Sequence, residues 1–146
     1  MSHTYRKIWL HYVWSTKDRA PMLASKMRSK LIEHVRKYSD QNEIEIDTIN
    51  STADHVHLLI SMNPSQSPSK IINLIKGESS NWINKMNLTI GKFSWQEGYS
   101  VFSVSYFNVE QVRKYIKNQQ EHHRKISFAE EIEKMLIAYK INIETP

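Results

Sequence analysis

Residues 43–61 read Glu43-Ile44-Glu45-Ile46-Asp47-Thr48-Ile49-Asn50-Ser51-Thr52-Ala53-Asp54-His55-Val56-His57-Leu58-Leu59-Ile60-Ser61, and their periodicity decides the fold. From Glu43 to Thr48, Ile44 and Ile46 alternate with acids; after a turn at about Ser51 to Asp54 the alternation resumes with Val56, Leu58 and Ile60. Such alternation marks a half-buried strand, so the stretch predicts two strands joined as a hairpin. The second strand turns Val56, Leu58 and Ile60 to one face and His55 and His57 to the other.

Working outward, Met27, Leu31, Val35 and Tyr38 recur at helical spacing to about residue 40, with Ser25 as candidate N-cap. Before the break at Pro21, residues Lys7 to Trp14 alternate, with Ile8, Leu10, Tyr12 and Trp14 opposite Trp9, His11 and Val13. Both faces are apolar enough for a central strand. On the other side of the hairpin, Ile71, Ile72, Ile75, Trp82, Ile83 and Met86 form one face of a helix from Pro68 to Met86, with Gly77 inside it at some cost. A loop through Gly91 and Gly98 leads to a fourth strand, Val101 to Phe107. Asn108 and Gln111 then make a capping-box-like start to a third helix running to about Lys125, and a shorter helix near Ala129 to Tyr139 packs as a tail. The order β-α-β-β-α-β predicts an α+β, ferredoxin-like sandwich with an antiparallel sheet and additional C-terminal helices. Strands one and three lie side by side in the middle. Helices one and two cover one face, leaving the other for the third helix, a ligand or a partner chain.

With 146 residues, three glycines and four prolines, the whole of 1–146 reads as one domain. A net charge of +5 and a pI near 9.4 favour polyanionic partners. The absence of cysteine excludes disulfides, thiolate metal sites and cysteine nucleophiles, so any metal must sit on His, carboxylate or amide oxygen. Tyr5, Arg6 and Lys7 interrupt the N-terminal apolar residues, and no apolar run approaches the roughly 20 residues of a membrane span. The expectation is a cytoplasmic protein with no membrane partner.

His55 and His57, one strand period apart, project together and can grip one divalent cation; as a lone pair they read more often as two solvent-facing histidines. In Tyr115-Ile116-Lys117-Asn118-Gln119, positions i and i+4 put a hydroxyl and an amide one turn apart on a helix. A helix tyrosine also commonly packs its ring and wets its hydroxyl.

Together these elements are more specific. The stretches Asp54-His55-Val56-His57-Leu58-Leu59, Trp95-Gln96-Glu97-Gly98-Tyr99 and Tyr115-Ile116-Lys117-Asn118-Gln119, with His122-His123-Arg124-Lys125 behind them and His11-Tyr12-Val13-Trp14-Ser15 in front, cover nearly the whole chain. In this combination the sequence resembles the HUH-type single-tyrosine transposases of small bacterial insertion sequences. The resemblance implies His55, His57 and Gln119 as metal ligands and Tyr115 as nucleophile. It also implies single-stranded DNA with hairpin ends as substrate, and a two-fold dimer in which each Tyr-bearing helix can complete the partner's histidine site. Tyr115 would attack phosphorus, leaving a 5′-phosphotyrosine and a free 3′-hydroxyl, and the covalent link would conserve the bond for rejoining. Imidazole with oxygen suits Mn²⁺ or Mg²⁺, and an amide third ligand argues against a purely structural zinc.

Lys70, Lys76, Lys85 and Lys92, and the group Arg113, Lys114, Lys117, Arg124 and Lys125, are candidates for neutralising DNA phosphates, although solvated helices display the same residues. Three further readings stay open. The first is a domesticated relative acting on palindromes dispersed in its host genome. The second is a non-catalytic module of the same fold that stacks bases on sheet aromatics such as Trp9. The third is a two-histidine phosphodiesterase, for which His11 alone supplies a second motif poorly.

Overall fold

A computed structural model describes residues 3–123 and 125–142. Its elements are β1 (Trp9–Ser15), α1 (Ser25–Gln41), β2 (Glu45–Ser51), β3 (His55–Ser61), α2 (Pro68–Lys85), β4 (Ser100–Val104), α3 (Val109–Lys117), α4 (Gln119–His122) and α5 (Phe128–Ala138). The strands form one sheet in the order β2-β3-β1-β4, with every pairing antiparallel. β1 and β3 therefore hold the centre, as the split βαβ reading requires.

The register sorts side chains by face. Val56, Leu58 and Ile60 of β3 and Leu10, Tyr12 and Trp14 of β1 pack with Leu31 and Val35 of α1 and Ile71, Ile72, Ile75 and Ile83 of α2. On the reverse face, Leu59 and Val104 meet Val109 and Ile116 of α3. The face left open by sequence is thus covered by the chain's own C-terminal helices.

Four local details depart from expectation. A bulge at Asp47 shifts the register between Ile46 and Thr48, so the core side passes from Ile44 and Ile46 to Ile49. The extra residue is unpaired in the ladder, and its carboxylate turns to α3, where it takes two 2.7 Å bonds from Arg113. The N-cap of α1 is Ala24, without a side-chain bond, and not Ser25; Ser67 caps α2 by accepting from the Lys70 amide. β4 stops at Val104 because Ser105 opens a tight 3₁₀ turn over Tyr106–Asn108, and the Asn108 side chain makes no cap. Finally, the third helix breaks at Asn118 and does not run on to Lys125.

Candidate active site

β3 delivers the two histidines, and the sheet twist and register bury them: His55 is 1% exposed and His57 fully buried. Neither is a solvent-facing surface histidine. His57 Nδ1 lies 2.8 Å from His11 Nε2 on the neighbouring strand, and its Nε2 lies 3.0 Å from Glu131 Oε1. His55 Nδ1 lies 2.7 Å from Asp54 Oδ1, an acceptor, which places a proton on Nδ1 and turns Nε2 into the site. A carboxylate behind a histidine in this way is the arrangement that orients metal-ligating imidazoles.

α3 delivers the tyrosine. Its Val109, Val112 and Ile116 stripe seats the helix on Leu59 and Val104, which brings the Tyr115 ring edge-on to His57 at 5.7 Å between centroids. The helix ends where it does because Asn50 of β2 donates to the Ile116 carbonyl at 2.8 Å and exchanges amide bonds with Gln120 at 3.1 and 3.2 Å. Those side-chain bonds replace the next helical turn, and after the break Gln119 points inward, fully buried, with Oε1 3.4 Å from His55 Nε2. All four residues singled out by sequence therefore meet, within one chain.

Two residues had not been assigned a role. Glu131 of α5, 1% exposed, sits at the centre of the cluster. Its Oε1 lies 3.0, 3.1 and 3.4 Å from the Nε2 atoms of His57, His123 and His55. Its Oε2 accepts from the Tyr115 hydroxyl and from Gln119 Nε2. The helix expected to pack as a tail thus enters the site. A signal was present: Glu131 falls on the apolar stripe of α5, three residues after Phe128 and four before Met135, where a carboxylate has no packing reason to be. His123 lies in the motif run behind Gln119 and carries no pattern of its own.

The electrostatics follow from burial and partners. Burial, reinforced by repulsion against a second positive charge on the adjoining imidazole of His57, drops His11 to a pKa of about 3, and burial drops His57 to about 4, so both are neutral imidazoles near pH 7. Burial also disfavours charge on His55, but hydrogen bonds to Asp54 and Glu131 lift it above the ordinary histidine value. Burial would by itself raise Glu131; the bonds from His55 and His57 outweigh it and hold the carboxyl well below its usual range. Burial and then the Glu131 carboxylate push the Tyr115 phenol upward, so it is held protonated. One ligand atom from each of His55, His57, His123 and Glu131 lies within 4.8 Å of every other. Neutral imidazole, carboxylate and amide oxygen around a common point form a donor set that fits a divalent cation. An apolar cavity of about 300 Å³ opens beside Tyr115, lined by Val112, Met135 and Tyr139 among others.

The basic candidates scatter. Lys70, Lys76 and Lys85 belong to α2, on the face of the sheet away from the histidines. Lys76 is engaged, donating to the Gln96 and Gly98 carbonyls at 2.8 and 2.6 Å. Arg113 is held between Asp47 and Glu110, whereas Lys117, on α3 near the site, is exposed. Arg124 lies outside the described residues. In the Trp95 to Tyr99 motif, Trp95 is buried against Trp14 and donates to Ser79, and Gln96 binds back to Ser15 and Asp18. That motif therefore ties the loop before β4 to the end of β1. No described helix is long and apolar enough to cross a membrane.

Comparison with known proteins agrees with this geometry. The ISDra2 transposase TnpA of Deinococcus radiodurans is 30% identical over 117 residues, covering 76% of this chain and 83% of its own length. The transposase for insertion sequence element IS200 of Salmonella typhimurium is 28% identical, covering 83% and 82%. A crystal structure of a chain from Deinococcus radiodurans, assigned as a transposase, superposes with a TM-score of 0.66 at 27% identity over 82% of this chain and 95% of that one. A REP-associated tyrosine transposase bound to a REP hairpin shares the fold, with a TM-score of 0.63 at 15% identity over 84% of this chain and 74% of that one. The family model described as "Transposase IS200 like" matches residues 4–119, from before β1 to the buried Gln119. With that match across most of its length, the chain belongs to the IS200-like transposase family.

Proposed function

We propose that the chain is a metal-dependent transposase that cuts and rejoins single-stranded DNA through Tyr115. One observation carries this reading: the Tyr115 hydroxyl and the Nε2 atoms of His55, His57 and His123 all converge on the carboxylate of Glu131. A nucleophile and a set of metal donors one carboxylate apart stand at the separation a phosphodiester needs to touch both. His55, His57 and Gln119 would hold Mg²⁺ or Mn²⁺, which when bound neutralises non-bridging phosphate oxygens and aligns the scissile group. His11 and Asp54 keep the ligand imidazoles in their tautomers.

Tyr115 attacks phosphorus as its proton passes toward the carboxylate it already donates to. The bond to the 3′ oxygen breaks, leaving a 5′-phosphotyrosine and a free 3′-hydroxyl. A DNA 3′-hydroxyl then attacks the phosphotyrosine and Tyr115 departs, so rejoining needs no nucleotide cofactor. The hairpin carried by the REP-associated relative supports hairpin-ended single strands as the substrate class. Exposed Lys70, Lys85 and Lys117 are the candidates for backbone phosphates, while Lys76 and Arg113 serve first as ties within the fold. We read the active unit as a homodimer in which each chain builds its own site, since Tyr115 already lies beside the His57 of the same chain.

The test uses hairpin oligonucleotides copied from the DNA flanking the coding sequence, incubated with Mn²⁺ and resolved on denaturing gels. A metal-dependent protein–DNA adduct with single strands and none with duplex is expected. No adduct with any flanking hairpin in Mn²⁺ or Mg²⁺ contradicts the reading.

A further inference from the structure

His123 and Glu131 lie beyond residue 119, where the family match ends. We infer that the C-terminal helix is part of the cation site: Glu131 and His123 are protein ligands of the divalent ion, so ion binding and docking of α5 are one equilibrium. This rests on the metal-dependent reading above and adds to it.

His55 Nδ1 faces the Asp54 carboxylate at 2.7 Å and His123 Nδ1 faces the Ile126 carbonyl at 3.0 Å, both acceptors, so each Nδ1 carries a hydrogen. Each Nε2 is thereby turned toward Glu131 Oε1, at 3.4 and 3.1 Å. Gln119 Oε1, another acceptor, lies 3.4 Å from His55 Nε2. With His57, the ligand atoms of His55, His123 and Glu131 lie within 4.8 Å of one another, close enough for one cation to touch all four together.

Glu131 is the only residue of α5 that is buried, while Phe128, Ile132, Met135 and Leu136 are only partly covered. A helix whose deepest side chain is a carboxylate gains little by apolar burial and loses the hydration of a charge. Phe128 stacks on His55 at 4.3 Å, and Tyr139 just after the helix donates to the Ser103 carbonyl at 2.7 Å, so α5 is aligned at both ends around that carboxylate. An ion held by Glu131 ties α5 to the strand that bears His55 and His57, and by reciprocity whatever factor α5 adds to ion affinity the ion adds to α5 docking.

The experiment titrates Co²⁺ and Mn²⁺ into the full chain, following Co²⁺ absorption and calorimetry, and follows amide exchange of residues 128–138 with and without ion. Glu131→Gln and His123→Ala should each weaken binding at least about tenfold, and Glu133→Gln, an exposed neighbour, should leave it unchanged. The ion should slow exchange across α5 in the wild-type chain and lose that effect in Glu131→Gln. If both ligand variants bind within twofold of wild type, or the ion leaves α5 exchange in the wild-type chain unaltered, the inference is wrong. His57→Ala separates the two levels: its loss of binding beside unaffected Glu131→Gln and His123→Ala overturns the α5 ligands alone, whereas a wild-type chain that takes up no ion overturns the metal-dependent reading with them.

Discussion

The two faces of β3 are made by seven consecutive residues, all buried, and they do opposite work. Val56, Leu58 and Ile60 face α1 and α2 and join the main apolar core. His55 and His57 face α3 and α5, and with Glu131, Gln119 and His11 they make a buried polar cluster. The first face is stabilised by burial in proportion to apolar area. The second contains groups whose burial is unfavourable unless each finds a partner. Neighbouring positions one peptide apart should therefore fail in different ways when altered: one side loses stability, the other chemistry.

The largest expected effect is on the chemical face. Tyr115→Phe deletes one hydroxyl and should abolish the covalent adduct while the chain still folds and binds hairpin DNA; an adduct persisting on denaturing gels removes Tyr115 as nucleophile. The sharpest contrast comes next, from adjacent residues. His57→Ala should lower the divalent-ion affinity of the folded chain at least about tenfold, beside whatever stability is lost by leaving His11 and Glu131 without it. Leu58→Ala should cost about 2–5 kcal/mol of stability and leave ion affinity of the folded fraction near wild type. Equal effects of the two on both measurements would erase the distinction between the faces.

The chemical face is also assembled within one chain, and mixing two inactive proteins tests that. Heterodimers of His57→Ala with Tyr115→Phe should stay at background, since each site keeps one defect; recovery of cleavage in verified heterodimers would establish sites shared between protomers. A smaller effect is expected at the seam between the faces. Asn50→Ala removes the side chain that terminates α3, so it should cost about 1 kcal/mol and slow adduct formation several-fold without weakening hairpin binding. The smallest effect belongs to the structural face: Ser67→Ala removes the α2 cap, costing about 1 kcal/mol, with adduct yield per folded molecule unchanged. A drop in that yield would mean the α2 side of the sheet communicates with the site.

How the chemical face was filled could be anticipated only in part. The strand bearing His55 and His57, the helix bearing Tyr115 and Gln119, and the sheet centre formed by β1 and β3 follow from local periodicity, because side-chain direction is set by the backbone over a few residues. His11 is legible as a core-strand residue, but its bond to His57 depends on the β1 to β3 register, which joins residues 46 positions apart. The bulge at Asp47 leaves no signature beyond alternation that changes parity, from Ile46 to Ile49. The break at Asn118 depends on Asn50, a residue that reads as an ordinary strand position until the helix is placed over it.

What the sequence by itself determined is the order of elements and the two faces of β3, which rest on spacing along a single strand or helix, and, through the family resemblance of its motifs, four of the residues that meet there. What only the tertiary structure decided is that α5 closes the site with Glu131 and His123 and that Tyr115 lies beside the histidines of its own chain. The physical reason is that a buried carboxylate is stable only where several partners converge on it, and that convergence, drawn here from a strand, two helices and a turn, is a property of their packing and of no one of them.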